Sequence, residues 1–252
     1  MDTSWGKVGD WYHDLLQREG TYQSDVILPN ILRLLDIKEG TVLLDLACGE
    51  GFFAREFAKK KAKVIGVDIA PELIQIAKKN SPSSIEFFAR SADDLSPLSD
   101  GSVDTITIIL AIQNIENAQG VFDECGRVLK KGGKIFLVLN HPAFRIPKKS
   151  SWGYEEEVKV QYRRVDAYLS EVKAQMDMEP GKKNGKKTVS FHRPLQTYFK
   201  LLTKAGFVVS RLEEWTGNAK SEPGARMEAE NRARKEFPLF MMIEGVKLGA
   251  NL

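Results

Sequence analysis

The chain has 252 residues, 42% hydrophobic and 28% charged, enough to bury one full core, and its 37 basic residues nearly cancel 34 acidic ones to leave a net charge of +3. That balance excludes the strongly basic footprint of a nucleic-acid binder, and no apolar run approaches the length of a membrane span. Two cysteines, Cys48 and Cys125, exclude a disulfide framework, and neither has a metal-ligating partner at useful spacing.

In chain order, the opening MDTSWGKVGDWY lacks the apolar stretch of a secretory signal, so a cytoplasmic location is the expectation. Val26 to Leu35 has a helical apolar face with Pro29 in its first turn. Val42 starts an apolar strand that ends in Asp45 and runs into Ala47, Gly49 and Gly51 before a helical pattern resumes. A second strand, Lys63 to Val67, ends in Asp68, and Pro71 opens another helix. Strands follow at Ile85 to Ala89 and Val103 to Ile109, a helix at Phe122 to Leu129, and a strand at Lys134 to Leu139 after Gly132 and Gly133. Glu155 to Val165 reads as a charged helix; Glu171 to His192, with Met176, Met178 and Phe191 alternating around PGKKNGKK, reads as a β-hairpin. Tyr198 to Ala205 is helical up to Gly206. Strands at Phe207 to Leu212 and Leu239 to Lys247 follow, with a solvated helix at Glu222 to Lys235 before the last. Alternation of this kind predicts a single doubly wound α/β domain over residues 1–252. The stretch 141–192, inserted after the fifth strand, falls over the carboxyl ends of the strands, where ligands bind in such sheets, and is expected to cap a substrate.

The turn after the first strand is the most informative feature. Glycine there tolerates positive φ and lets main-chain N–H groups approach a ligand at a helix N-terminus. Asp68, seventeen residues past Gly51, stands near the spacing at which an acid takes the two hydroxyls of a ribose. Gly49, Gly51 and Ala54 also satisfy the dinucleotide pattern GxGxxA, but Asp45 and Glu50 would repel a pyrophosphate. A cationic ligand that carries both a nucleoside and an amino acid fits better.

The segments LLDLACGEG, VIGVDIA, SADDL, DGSVDTITII and LKKGGKIFLV, in that order between Leu43 and Val138, resemble the class I S-adenosylmethionine-dependent methyltransferases, in particular small-molecule enzymes with a type 11 domain. The resemblance implies a mostly parallel seven-stranded Rossmann-like sheet and S-adenosylmethionine as cofactor. Carried over by position, it implies Asp45, Ala47, Gly49 and Gly51 around the methionine part, Asp68 and Ile69 at the ribose, Ala92 and Asp93 at the adenine, and Leu110 after the fourth strand. Ala47 and Ser91 depart from the glycine and aspartate that many members have. Trp11, Tyr12 and Tyr22, in a lid over residues 1–25, are similar to the aromatic lid of many relatives, and Tyr22 is expected to touch the cofactor.

Since the sulfonium carries the reactive methyl, the protein must chiefly align a nucleophile and accept its proton. Of three histidines, His141 follows the fifth strand and His192 ends the hairpin; these two are the expected bases, ahead of His13. Gln113 and Asn114 are placed to orient a substrate but are poor bases. The expected reaction is methyl transfer to an oxygen or nitrogen of a small molecule, by a monomer or homodimer. Carbon methylation of a quinone-type precursor, RNA methylation and a non-catalytic cofactor binder are the alternatives. LAIQNIEN stands where amino-group methyltransferases of nucleic acids carry Asn/Asp-Pro-Pro-aromatic, which disfavours RNA.

Overall fold

In a computed structural model of the chain, residues 20–177 and 187–249 are described. Trp11, Tyr12, His13, Met178 and most of the PGKKNGKK turn lie outside them. The first described element is a π-helical turn, Gln23–Ile27, that passes into α1 (Leu28–Leu34). Pro29 explains the junction: its ring lacks an N–H, and Leu28 N–H bonds five residues back to Gln23 O in the wider turn.

Strands β1 (Val42–Leu46), β2 (Lys63–Asp68), β3 (Glu86–Ala89), β4 (Val103–Ile109) and β5 (Leu129–Asn140) are parallel. Between them run α2 (Phe52–Ala58), α3 (Pro71–Asn80) and α4 (Ala118–Val128). β4 is central and, Asp104 apart, reads as a run of apolar and β-branched residues because both faces are covered. Val103 pairs with Leu129 but Thr105 with Lys134, so Lys130 to Gly133 bulge from β5, and Gly132 takes φ +73° in that bulge. Phe87 on β3 lies against Gly66 of β2, where an added Cβ would come within 2.5 Å of its ring.

β6 (Ser150–Glu155) with β7 (Val160–Val165) and β8 (Val172–Asp177) with β9 (Lys187–His192) form two antiparallel hairpins after β5. The second is the expected Glu171–His192 hairpin. The first replaces the expected helix at Glu155 to Val165. Its charges mislead, whereas Val158, Val160 and Tyr162 alternate, and Tyr162 lies across Gly153, in the space a side chain there would fill.

The chain returns through α5 (Leu195–Lys204) to β10 (Phe207–Trp215), crosses α6 (Met227–Glu236) and ends in β11 (Phe240–Lys247). β11 inserts between β5 and β10, antiparallel to both, giving the order β10-β11-β5-β4-β1-β2-β3. The last two strands pair with each other, joined through α6. The core lies in two layers: α4 and α5 cover one face of the sheet, and α1, α2 and α3 the other. Among the described residues no helix is long and apolar enough to cross a membrane, and no group of three His, Cys, Asp or Glu is placed to hold a metal.

Candidate cofactor and acceptor site

The turn after β1 is locked to the end of β2. Cys48 N–H donates to Val67 O at 3.0 Å, Gly49 N–H to Asp68 Oδ2 at 2.9 Å, and Ala70 N–H to Asp68 Oδ1 at 2.9 Å. Asp68 therefore carries two main-chain donors and keeps a further lone pair on each oxygen. Burial raises its pKa, against the pull of these N–H groups. Ala47 (φ +57°) and Gly49 (φ +58°) bend the main chain through the left-handed region, and Gly51 (φ +82°) caps α2. A side chain on Gly51 would meet Phe87 and Ala77, so this glycine also serves the packing of α2 on the sheet.

Asp45 is almost fully buried. Its Oδ1 accepts from Thr107 Oγ1 at 3.0 Å, and its Oδ2 has no hydrogen-bond partner among the described residues. Burial first, with the neighbouring Asp68 charge, pushes it up to about 7 although Thr107 opposes. Such an orphaned carboxylate oxygen beside the glycine turn suits a cationic ligand group. Glu50 plays no part in that. It is buried against Arg55, whose Nη2 donates to Oε1 and Oε2 at 2.8 and 3.0 Å, so the expected repulsion of phosphates falls to Asp45 alone.

Ala47, Asp68, Ile69, Leu73, Leu110 and Asn114 line a small cavity of about 80 Å³. Ile69 is an exposed apolar side chain beside the acid, a surface that suits a nucleoside. Leu110, at φ +53°, reverses the chain after β4 and turns its carbonyl toward Gln113 Nε2 at 2.7 Å and Asn114 Nδ2 at 3.4 Å. A second cavity, about 490 Å³, opens from Leu110 and Asn114 and reaches Gln23, Gln113, Asn140 and Tyr198, beneath Thr188, Ser190 and His192 of β9. The two cavities share Leu110 and Asn114, and together they fall within the roughly 300–1,000 Å³ ordinary for small-molecule sites. Gln113 Oε1 is a buried acceptor with no partner among the described residues.

Other expected residues lie elsewhere. Ala92 and Asp93 do not line either cavity. Asp93 instead joins Ser91 Oγ to Asn117 Nδ2, the N-cap side chain of α4, and these donors, Ser91 foremost, lower its pKa. Tyr22 packs edge-on against Phe240 with ring centroids 5.6 Å apart and lines a third cavity, away from the cofactor turn. His141 is a turn residue. Its Nδ1 accepts from Ala143 N–H and Phe144 N–H at 3.2 and 3.3 Å, so Nε2 carries the proton toward Glu214 Oε1 at 2.6 Å and no lone pair is left for a substrate. Burial holds its pKa below the ordinary value. His192 differs. Its Nε2–H donates to Tyr168 O at 2.7 Å, which leaves Nδ1 as the basic atom of a residue lining the larger cavity. Arg145 and Arg163, which line the same cavity, carry no motif; the only signal in the sequence is an arginine set in the apolar run after β5.

Residues 44–137 match the family model of the methyltransferase domain. Over 101 residues the chain is 33% identical to the ubiquinone biosynthesis O-methyltransferase of Xanthomonas euvesicatoria, covering 39% of this chain and 42% of that protein. Over 111 residues it is 32% identical to the demethylmenaquinone methyltransferase of Tropheryma whipplei, covering 44% and 46%. The chain thus spans less than half the length of these curated relatives. An S-adenosylmethionine dependent methyltransferase from Mesorhizobium loti has the same fold, with a TM-score of 0.70 at 24% identity over 87% of this chain and 96% of that one. Its sheet, its glycine turn and these matches agree in one respect: residues 44–137 are similar to a methyltransferase domain, on a fold shared with the solved S-adenosylmethionine dependent methyltransferase.

Proposed function

We propose that the protein transfers the methyl group of S-adenosylmethionine to an oxygen or nitrogen of a small molecule bound under the β8–β9 hairpin. The observation that carries this reading is the junction at Leu110 and Asn114, where a cavity large enough for an acceptor opens onto the cavity beside Asp68. Asp68 has lone pairs for the ribose hydroxyls, and Ile69 and Leu110 provide apolar walls for the base. Asp45 and the turn through Ala47, Gly49 and Gly51 would hold the amino-acid end. The bound cofactor supplies an electrophilic methyl on a sulfonium; the protein aligns the acceptor with it and manages one proton. Gln113 Oε1 accepts a hydrogen bond from a hydroxyl or amine on the acceptor, and His192 Nδ1 takes the proton as transfer proceeds.

A screen for formation of S-adenosylhomocysteine against phenols, amines and quinone precursors tests the reading. The relatives' names place quinone precursors in that panel. Turnover of at least one hydroxyl or amine compound is expected, and His192→Ala should lower kcat by about 10²–10⁴-fold. A fall of less than about threefold would remove His192 as the base. Cofactor binding without turnover on any compound would favour a non-catalytic binder.

A further inference from the structure

Arg145 and Arg163 line both the acceptor cavity and a neighbouring cavity of about 260 Å³ whose walls are Tyr22, Phe144, Trp152 and Phe237. Arg234 adds a third guanidinium to that smaller cavity, and among the described residues no carboxylate lines it. Arg163 is held in place: Nε donates to Phe144 O at 2.6 Å, Nη2 donates to Ser150 Oγ at 2.8 Å, and the guanidinium lies 5.1 Å from the Trp152 ring centre. The Arg145 guanidinium lies 5.5 Å over Phe240 and, among the described residues, makes no hydrogen bond and no ion pair. Burial lowers the pKa of both, and the Arg163 charge adds to the effect on Arg145.

Guanidinium groups remain charged in proteins, so two of them share a partly desolvated boundary with no neutralising carboxylate among the described residues. The planar forks and aromatic walls match a planar anion, since guanidinium pairs bidentately with carboxylate or phosphate and stacks on rings. Resting on the methyltransferase reading above, we propose that the acceptor is an aromatic molecule bearing an oxyanion, carboxylate or phosphate, gripped by Arg145 and Arg163 where the two cavities meet. Asp177 also lines the acceptor cavity, but Lys187 lies 4.0 Å from it, so it does not neutralise the pair.

The test is calorimetry of 1-naphthoate, 1-naphthyl phosphate and neutral 1-naphthamide with the full chain saturated in S-adenosylhomocysteine. At least one anion should bind ten times more tightly than the amide, and the stronger of the two identifies carboxylate or phosphate. That preference should fall below threefold in Arg145→Gln and in Arg163→Gln and survive in part in Arg145→Lys. Unchanged S-adenosylhomocysteine affinity in each variant establishes that it is folded. Equal binding of amide and anions, no binding of any probe at millimolar concentration, or a preference that survives both glutamine changes would overturn the proposal. Such a failure leaves cofactor binding and methyl transfer to neutral acceptors intact, whereas failure of the methyltransferase reading would appear as no cofactor binding at all.

Discussion

Asp45 shows how far a single residue can be read from sequence. An acid closing an apolar strand before a glycine turn has no packing purpose, and the structure gives it a buried, half-satisfied carboxylate. What the sequence hides is its state of protonation, because that depends on Thr107 and Asp68 from other strands. Held up to about 7, it binds its proton more tightly folded than in the unfolded chain, where 3.8 applies. The stability this contributes is complete below pH 4 and is lost as pH rises through 7, on the order of 4 kcal/mol at most. Asp45→Asn removes that loss, so urea unfolding of variant and parent should diverge in the variant's favour from pH 5 to pH 8; a constant difference would mean the carboxylate is already ionised at pH 5. Glu50, Tyr22 and His141 mark the limit of such reading. Their partners, Arg55 a turn later, Phe240 on the last strand and Glu214 on β10, are set by tertiary packing that no local pattern encodes. Ala47 in the glycine turn is a further residue-scale case. Its φ of +57° costs an alanine about 1–2 kcal/mol, more than the roughly 0.5–1 kcal/mol that glycine adds to the entropy lost on folding. Ala47→Gly should therefore unfold at the same or a slightly higher urea concentration, opposite to the usual effect of the exchange.

At the scale of elements, period decided what was legible. The glycine turn, the helices opened by Pro29 and Pro71, and the β8–β9 hairpin all follow from turn residues and alternation. The β6–β7 hairpin was missed because a charged sequence with Val158, Val160 and Tyr162 at alternate positions satisfies a helix by composition and a strand by period. The short loop between β4 and α4 carries the junction of the two cavities, and its local hydrogen bonds do not tie it to the chain after β9. Arg193 does, donating from Nη1 to Ile112 O at 3.3 Å and from Nη2 to Ile115 O and Glu116 O at 2.8 Å each. Bonds from a charged donor contribute about 1.5–3 kcal/mol apiece in favourable settings. Arg193→Met should weaken cofactor binding several-fold and speed amide hydrogen exchange from Leu110 to Asn117 while the sheet keeps its protection. Uniform loss of protection would instead assign Arg193 to global stability.

For the molecule as a whole, the alternation of elements specified a doubly wound sheet but not the place of β11, which is fixed by pairing with β10 across α6 and with β5 about a hundred residues earlier in the chain. That insertion matters to function, because β11 buttresses β5, from whose end Asn140 and Pro142 reach the acceptor cavity. A site assembled from β1, β2, β4, β5 and the cap exists only when the full sheet has formed, so a ligand that fills it binds the folded state alone. At a hundred times its Kd, S-adenosylmethionine should then stabilise the fold by about 2.7 kcal/mol. For a domain of this size each kcal/mol raises the midpoint by about 2–4 °C, which gives an expected rise of about 5–11 °C. Asp68→Asn exchanges an acceptor for a donor at a carboxylate that already serves Gly49 and Ala70, and should cut the ligand-induced rise by at least half. NAD at the same concentration should produce no shift, because the carboxylate under the turn disfavours a pyrophosphate. A thermal melt with each ligand, on parent and variant, measures all three outcomes, and a rise with NAD equal to that with S-adenosylmethionine would return the site to the dinucleotide enzymes.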